Sequence, residues 1–176
     1  AAIALLNETQ TQLRRLEQAL LDKAKEFDGI IKMGRTQLQD AVPIRLGQEF
    51  HAYAAAVARD IVRFDRAKEE LRSLNLGGTA IGTGLNANAD YVRRVVGKLS
   101  ELTGEELTQA PDLIDGTQNL DCYPAVSGIL KSCAVTLSKM CNDLRLMSSA
   151  PEPASMRSTF LPSRTAPSSC PARSIP

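Results

Sequence analysis

From Tyr123 to Met147 the apolar positions Tyr123, Val126, Leu130, Cys133, Leu137, Met140, Leu144 and Met147 return at alternating spacings of three and four without a slip. Such a stripe keeps one face of an α-helix apolar for about seven turns, and it does not suit a strand, whose side chains alternate with period two. A chain carrying it is constrained to fold as long packed helices. Two further stretches repeat the pattern. Leu6, Leu13, Leu16, Leu20, Phe27 and Ile31 predict a helix over residues 2–32, with Glu, Lys and Arg filling much of its solvated face. Leu46, Phe50, Tyr53, Val57, Ile61, Phe64, Leu71 and Leu74 predict another over 44–73, some 45 Å long at ~1.5 Å per residue.

A shorter helix is expected from Asp90, a good capping residue, to Gly104, with Val92, Val95, Val96, Leu99 and Leu102 on its apolar side. Residues 105–120 read as irregular, broken by Pro111. Strand-like alternation is absent throughout, so the predicted class is all-α, a long-helix bundle. With no Trp, four Phe and three Tyr, the core must come from Leu, Ala, Ile and Val. Long narrow helices of that kind leave apolar stripes uncovered in a monomer, and oligomerisation is the expected remedy. The pattern stops at Ser149. The last 26 residues hold six of the nine prolines, so residues 1–149 are expected to form the helical domain and 150–176 a disordered tail.

Several functions are disfavoured by composition. A net charge of +1 with both signs interspersed gives no electrostatic case for nucleic acid or an anionic membrane. No apolar run approaches the ~18 residues of a spanning helix, and a signal peptide's layout is missing at the N-terminus. The chain begins without Met inside a helical pattern, as a fragment would. A single His, His51, reads as a surface or structural residue, and no metal-ligand cluster accompanies it. Cys122, Cys133, Cys141 and Cys170 lack C-x-x-C spacing and read as free thiols, with Cys133 and Cys141 at or near an apolar helix face. The glycine-rich stretch Asn75–Asn88 reads as a loop letting backbone approach a ligand or a neighbouring helix. No strand precedes it and no Lys-Ser/Thr follows it, so phosphate-loop and dinucleotide readings fail.

The segment Lys32–Pro43, between the first two helices, is too polar for core. Arg35, Thr36, Gln37, Gln39 and Asp40 place five hydrogen-bonding side chains within six positions, between a permissive Gly34 and a rigid Pro43. Two readings fit: a binding site held at the junction of rigid helices, or an ordinary connection whose Thr and Asp cap the next helix.

Taken as motifs, Gly34-Arg-Thr-Gln-Leu-Gln-Asp-Ala41, Leu46-Gly-Gln-Glu-Phe50, Asn75-Leu-Gly-Gly-Thr-Ala-Ile-Gly-Thr-Gly-Leu-Asn86 and Ser138-Lys-Met-Cys-Asn-Asp-Leu-Arg-Leu-Met-Ser-Ser149 resemble, in order and spacing, the aspartase/fumarase superfamily. The resemblance covers nearly all of residues 1–149. Gln37, where class II fumarases usually carry His, together with Asp40-Ala-Val-Pro43 and Thr117-Gln-Asn119, is most similar to the aspartate ammonia-lyase branch. That resemblance implies a cytoplasmic homotetramer needing no organic cofactor. Such an enzyme removes a proton beside the β-carboxylate of L-aspartate, passes through an aci-carboxylate, and releases ammonia and fumarate. Its sites combine regions from three subunits, and its base is a serine on a Gly-Ser-Ser-x-Met-Pro loop. By position, Thr36 and Gln37 are implied to contact substrate. Polarity and position assign Arg35, Gln39 and Asp40 to supporting the junction. A fumarase that hydrates fumarate, or a non-catalytic helical scaffold of the lens-crystallin kind, are the rival readings.

Two of the family's signature regions are missing. The first should lie upstream of Ala1. The third, with the serine base and a Lys-Val-Asn-Pro, should follow Ser149, where the proline-serine tail stands instead. Read from the third base of the Ser169 codon, one allowed coding of Ser169–Pro176 gives Met-Pro-Gly-Lys-Val-Asn-Pro. The same shift over Glu152–Pro162 allows Ala-Gly-Leu-Asn-Glu-Ile-Asn-Leu-Pro. The tail is therefore read as the family's text in a shifted frame, and Ser168 and Ser169 are not taken as the catalytic serines. No catalytic residue is assigned. A chain without the base is expected to be inactive, since a positioned proton-transfer group contributes roughly 10²–10⁴-fold.

Overall fold

Helices dominate the computed structural model, which describes residues 1–37 and 39–149. In chain order the elements are α1 (Ala2–Glu26), β1 (Ile31–Thr36), β2 (Gln39–Arg45), α2 (Leu46–Glu70), β3 (Ser73–Leu74), α3 (Ala89–Thr103), β4 (Thr108–Gln109), α4 (Leu113–Gln118) and α5 (Cys122–Ser149). The expectations for residues 150–176, including the tail, Ser168, Ser169 and Cys170, lie outside the described residues. By contacts the chain forms two units, Ala1–Ser138 and Lys139–Pro176. In the described part of the second, Met140 is buried and Lys139 pairs with Asp143 one turn on.

Within the first unit, α1 and α2 pack antiparallel. Phe27 at the end of α1 meets Phe50 edge-to-face at 5.3 Å near the start of α2, while Gln10 near the start of α1 reaches Ile61 and Asp65. The interface is apolar: Leu6, Leu13, Leu20 and Ala24 are buried on α1, and Phe50, Val57, Ile61 and Phe64 on α2. The backbones come close at Gly47, where an added Cβ would lie 2.3 Å from the Ala24 carbonyl oxygen. Gln10 is the polar exception. Its Nε2 donates to the Ile61 carbonyl at 3.0 Å and to Asp65 Oδ1 at 2.9 Å, and Lys68 donates to its Oε1 at 3.1 Å. Every polar group it buries is thereby satisfied.

On the flank of α2 nearer α5, Asp60 is 1 % exposed. Its Oδ1 accepts from Arg63 at 2.5 Å, and Arg63 also donates to Ser132 Oγ on α5 at 3.3 Å. Asp60 Oδ2 has no partner among the described residues. Burial, together with the charge of Asp60, pushes the nearby Cys133 thiol above its ordinary pKa, with Arg63 partly opposing. Cys133 is thus the buried free thiol expected, but Cys141 is exposed and Cys122 intermediate.

The helical class and the long helices agree with the sequence. The ends of the first two do not. Helix α1 stops at Glu26, six residues short of 32, and Ile31 is 75 % exposed rather than on the core stripe. Helix α2 spans Leu46–Glu70 rather than 44–73. The residues between them are not a plain loop. They form an antiparallel hairpin, β1–β2, and its strands escaped notice because neither face rests on a core, so nothing selects alternating apolar residues. Asn88, not Asp90, caps α3, its side chain accepting from the Asp90 amide at 2.8 Å; Gly104 ends it in the left-handed conformation. The irregular stretch contains α4, whose first amides are taken by the Asp112 side chain at 2.8 and 3.1 Å.

Candidate functional site

The hairpin is built from small local decisions. Ile31 faces Arg45, Lys32 faces Ile44 and Met33 faces Pro43; beyond a bulge, Arg35 faces Asp40 and Thr36 faces Gln39. At the bulge one residue, Gly34, lies opposite Ala41 and Val42, and an added Cβ would sit 2.8 Å from the Val42 carbonyl oxygen. Gly34 is therefore required by close approach. Pro43 is tolerated because both strands of a two-stranded sheet are edges. The reversal begins at Gln37, whose φ of +50° is left-handed. Asn or Gly is the usual choice there, and strain of this kind costs about 1–3 kcal/mol, so it is most often kept where the side chain has another duty.

All five candidate residues lie on this hairpin, and all are exposed. Arg35 and Asp40 pair across the strands at 3.3 Å, with side chains 45 % and 69 % exposed. Solvent screens such a pair, and its worth is at most about 1 kcal/mol. Thr36 and Gln39 are opposite each other at the turn. Among the described residues, no side-chain hydrogen bond is made by Thr36 or Gln37. The cap reading fails: the N-cap of α2 is Arg45, whose amide donates to Gln48 Oε1 at 3.0 Å.

Among the described residues, the hairpin base is held to the helices as follows. The amides of Leu46 and Gly47 donate to the carbonyls of Ile30 and Phe27 at 2.8 and 3.1 Å. Arg45 pairs with Asp28 at 3.0 Å, but beside an open groove of about 630 Å³ that leaves both side chains half exposed. Lys32 Nζ lies 2.9 and 2.8 Å from the two carboxylate oxygens of Glu49 in the first turn of α2, and both side chains are about three-quarters buried. Neither Lys32 nor Glu49 is singled out by the sequence, although Lys32 opens the polar segment and Glu49 falls inside the Leu46–Phe50 motif. Their pairing depends on β1 folding back over α2, which no local spacing encodes.

The glycine-rich loop approaches a neighbouring helix. Gly77, Gly82 and Gly84 have positive φ, and a Cβ on Gly82 would lie 2.3 Å from the Cα of Ile114 in α4. Gln109 fastens the loop by donating to the carbonyls of Leu76 and Val92 at 2.8 and 3.1 Å. His51 is exposed.

A family model described as "Lyase" matches residues 1–171. An aspartate ammonia-lyase from Bacillus sp is 49 % identical over 164 residues, 93 % of this chain and 35 % of that protein. One from Helicobacter pylori is 55 % identical over 79 % of this chain and 30 % of its own length. A solved fumarate lyase:delta crystallin from Brucella melitensis, bound to cobalt, superposes with a TM-score of 0.83 at 46 % identity, over 86 % of this chain and 33 % of that one. Here, among the described residues, no group of three or more His, Cys, Asp or Glu side chains could hold a metal ion. The chain spans about a third of the length of the curated relatives it matches. With the family model covering nearly its whole length, this chain belongs to the lyase family.

Proposed function

We propose that the chain supplies one active-site region of an aspartate ammonia-lyase, which deaminates L-aspartate reversibly to fumarate and ammonia. The observation that carries the reading is the hairpin tip: Thr36 and Gln37 are exposed, without side-chain partners among the described residues, on a turn strained at Gln37. A hydroxyl and a carboxamide held beyond the body of their own helices suit a ligand completed by other chains. In the proposed reaction a proton leaves the carbon beside the β-carboxylate, and negative charge builds on that carboxylate as the aci form. Fixed donors aimed at its oxygens stabilise it at no reorganisation cost. Thr36 Oγ1 and Gln37 Nε2 are two such donors. Arg35, Gln39 and Asp40 hold the turn that presents them.

The serine base and the remaining clamps are assigned to regions that the described residues do not include, so residues 1–149 alone are expected to have no activity. The homotetramer and a cytoplasmic location belong to the same reading. Exposed apolar residues along α5, Tyr123, Leu130 and Val135, suit helix pairing between subunits. No described helix is long and apolar enough to cross a membrane.

The test starts with the coding DNA, resequenced across codons 148–176 and beyond. The expected result is a frame that runs on through Met-Pro-Gly-Lys-Val-Asn-Pro. The full-length product is then assayed for fumarate formation from L-aspartate. Hydration of fumarate without deamination of aspartate would assign the chain to fumarase instead. Neither activity from a stable helical oligomer would make it a scaffold.

A further inference from the structure

We infer that Lys32 and Glu49 are positioning residues: their ion pair sets the angle between the hairpin and α2, and so the placement of Thr36 and Gln37. The inference rests on the aspartate reading for its catalytic consequence, but not for its geometry. A lone two-stranded hairpin is marginally stable in water, so its orientation has to come from what fastens its base. The amides of Leu46 and Gly47 fix where the chain enters α2, yet main-chain bonds at one point leave the strands free to hinge about it. The Arg45–Asp28 pair is half exposed on both sides and correspondingly weak. Lys32–Glu49 differs in three respects. Both carboxylate oxygens are engaged, both side chains are largely buried, and the bond joins the strand itself to the first turn of the helix. Lys32 stands opposite Ile44 in the ladder, so the bond acts on the paired hairpin as a body.

Geometry amplifies any slack. Lys32 and Thr36 are four residues apart, about 13 Å at ~3.3 Å per residue. Over that lever a swing of about 5° carries the tip about 1 Å, and misplacement of that size can cost roughly 10²-fold in rate. Glu49 touches neither substrate nor reacting atoms in this scheme. It acts through the angle of the strand.

The experiment uses Lys32→Met, Glu49→Gln and the reversal K32E/E49K in the full-length enzyme, with KM and kcat measured for L-aspartate. Each single variant is expected to lose roughly 10- to 100-fold in kcat/KM, with a thermal midpoint within a few degrees of the parent. A loss in kcat/KM at a nearly unchanged thermal midpoint is what a merely structural role would not predict, and the reversal should recover most of that loss. Singles within threefold of the parent overturn the inference, as does a reversal no better than the worse single.

A second measurement needs no catalysis. Amide hydrogen exchange of residues 33–42 in the 176-residue chain should quicken in Glu49→Gln while the α1–α2 core stays protected. Unchanged exchange there rejects the clasp whatever the kinetics. Quickened exchange in a protein whose full-length parent does not deaminate aspartate keeps the clasp and removes the aspartate reading.

Discussion

Glycines in this chain do opposite things, and the space around each decides which. At Gly47 a methyl group would enter the Ala24 carbonyl and the Asp28 backbone, at 2.3 and 2.8 Å, and neither can yield without parting the helices. Gly47→Ala is expected to lower stability by about 1–3 kcal/mol in denaturant titrations. Gly97, inside α3, has nothing within 4 Å of an added Cβ. There the same substitution is expected to raise stability by about 0.5–1 kcal/mol, because alanine loses less backbone freedom on forming a helix. The two variants should move the denaturation midpoint in opposite directions. A drop in both would mean that α3 is not helical at Gly97.

Among elements, the α1–α2 pair carries a testable pH dependence. Hydrogen bonds from Lys68, then from Gln10, hold the Asp65 carboxyl below its ordinary pKa of 3.8, with desolvation opposing. A depressed acid contributes stability that is present above its unfolded value and lost as pH falls through the folded one. The side chain is more than half exposed, so the contribution is small. Thermal midpoints of the parent and Asp65→Asn should differ near neutrality and converge as pH falls below the ordinary carboxylate range and through the lowered pKa. A gap unchanged across that range would remove the ionic contribution.

The same scale explains what could be read from residues alone. Leu13, Val57 and Phe64 sit on faces that pack, and their spacing recorded it. Met33, Gly34 and Val42 sit on a hairpin with no core beneath, so their order recorded nothing of strands. Helix α4 was hidden for a related reason, since its start is written in one capping residue, Asp112, and it buries none of its residues, so no apolar spacing records it. Thr36 and Gln37 were marked by motif and polarity, whereas Lys32 and Glu49 needed the fold. The helix ends were misplaced because Ile31 and Leu74 continue the apolar spacing beyond the last helical turn.

For the whole molecule, α5 is the element to question. Its stripe is regular, yet Tyr123 and Leu130 on it are 58 % and 42 % exposed in the isolated chain, and Val135, off the stripe, is 62 % exposed. A proposed tetramer would cover them. Light scattering at micromolar concentration should then report a species larger than 19.0 kDa, and Leu130→Glu with Val135→Glu should shift it towards the monomer. A monomer in both cases would reject self-association through α5.

The bulge and the proline of β2 bear on what an uncovered hairpin offers to other copies of itself. A bare hairpin offers two rows of unpaired main-chain groups, which invite strands from other copies to add on and grow into fibres. Pro43 removes one donor from that row, and the Ala41–Val42 bulge opposite Gly34 breaks its even spacing. The features that let the hairpin stand away from its helices also make it a poor template. The chain can thus keep its polar tip exposed without seeding a deposit of itself.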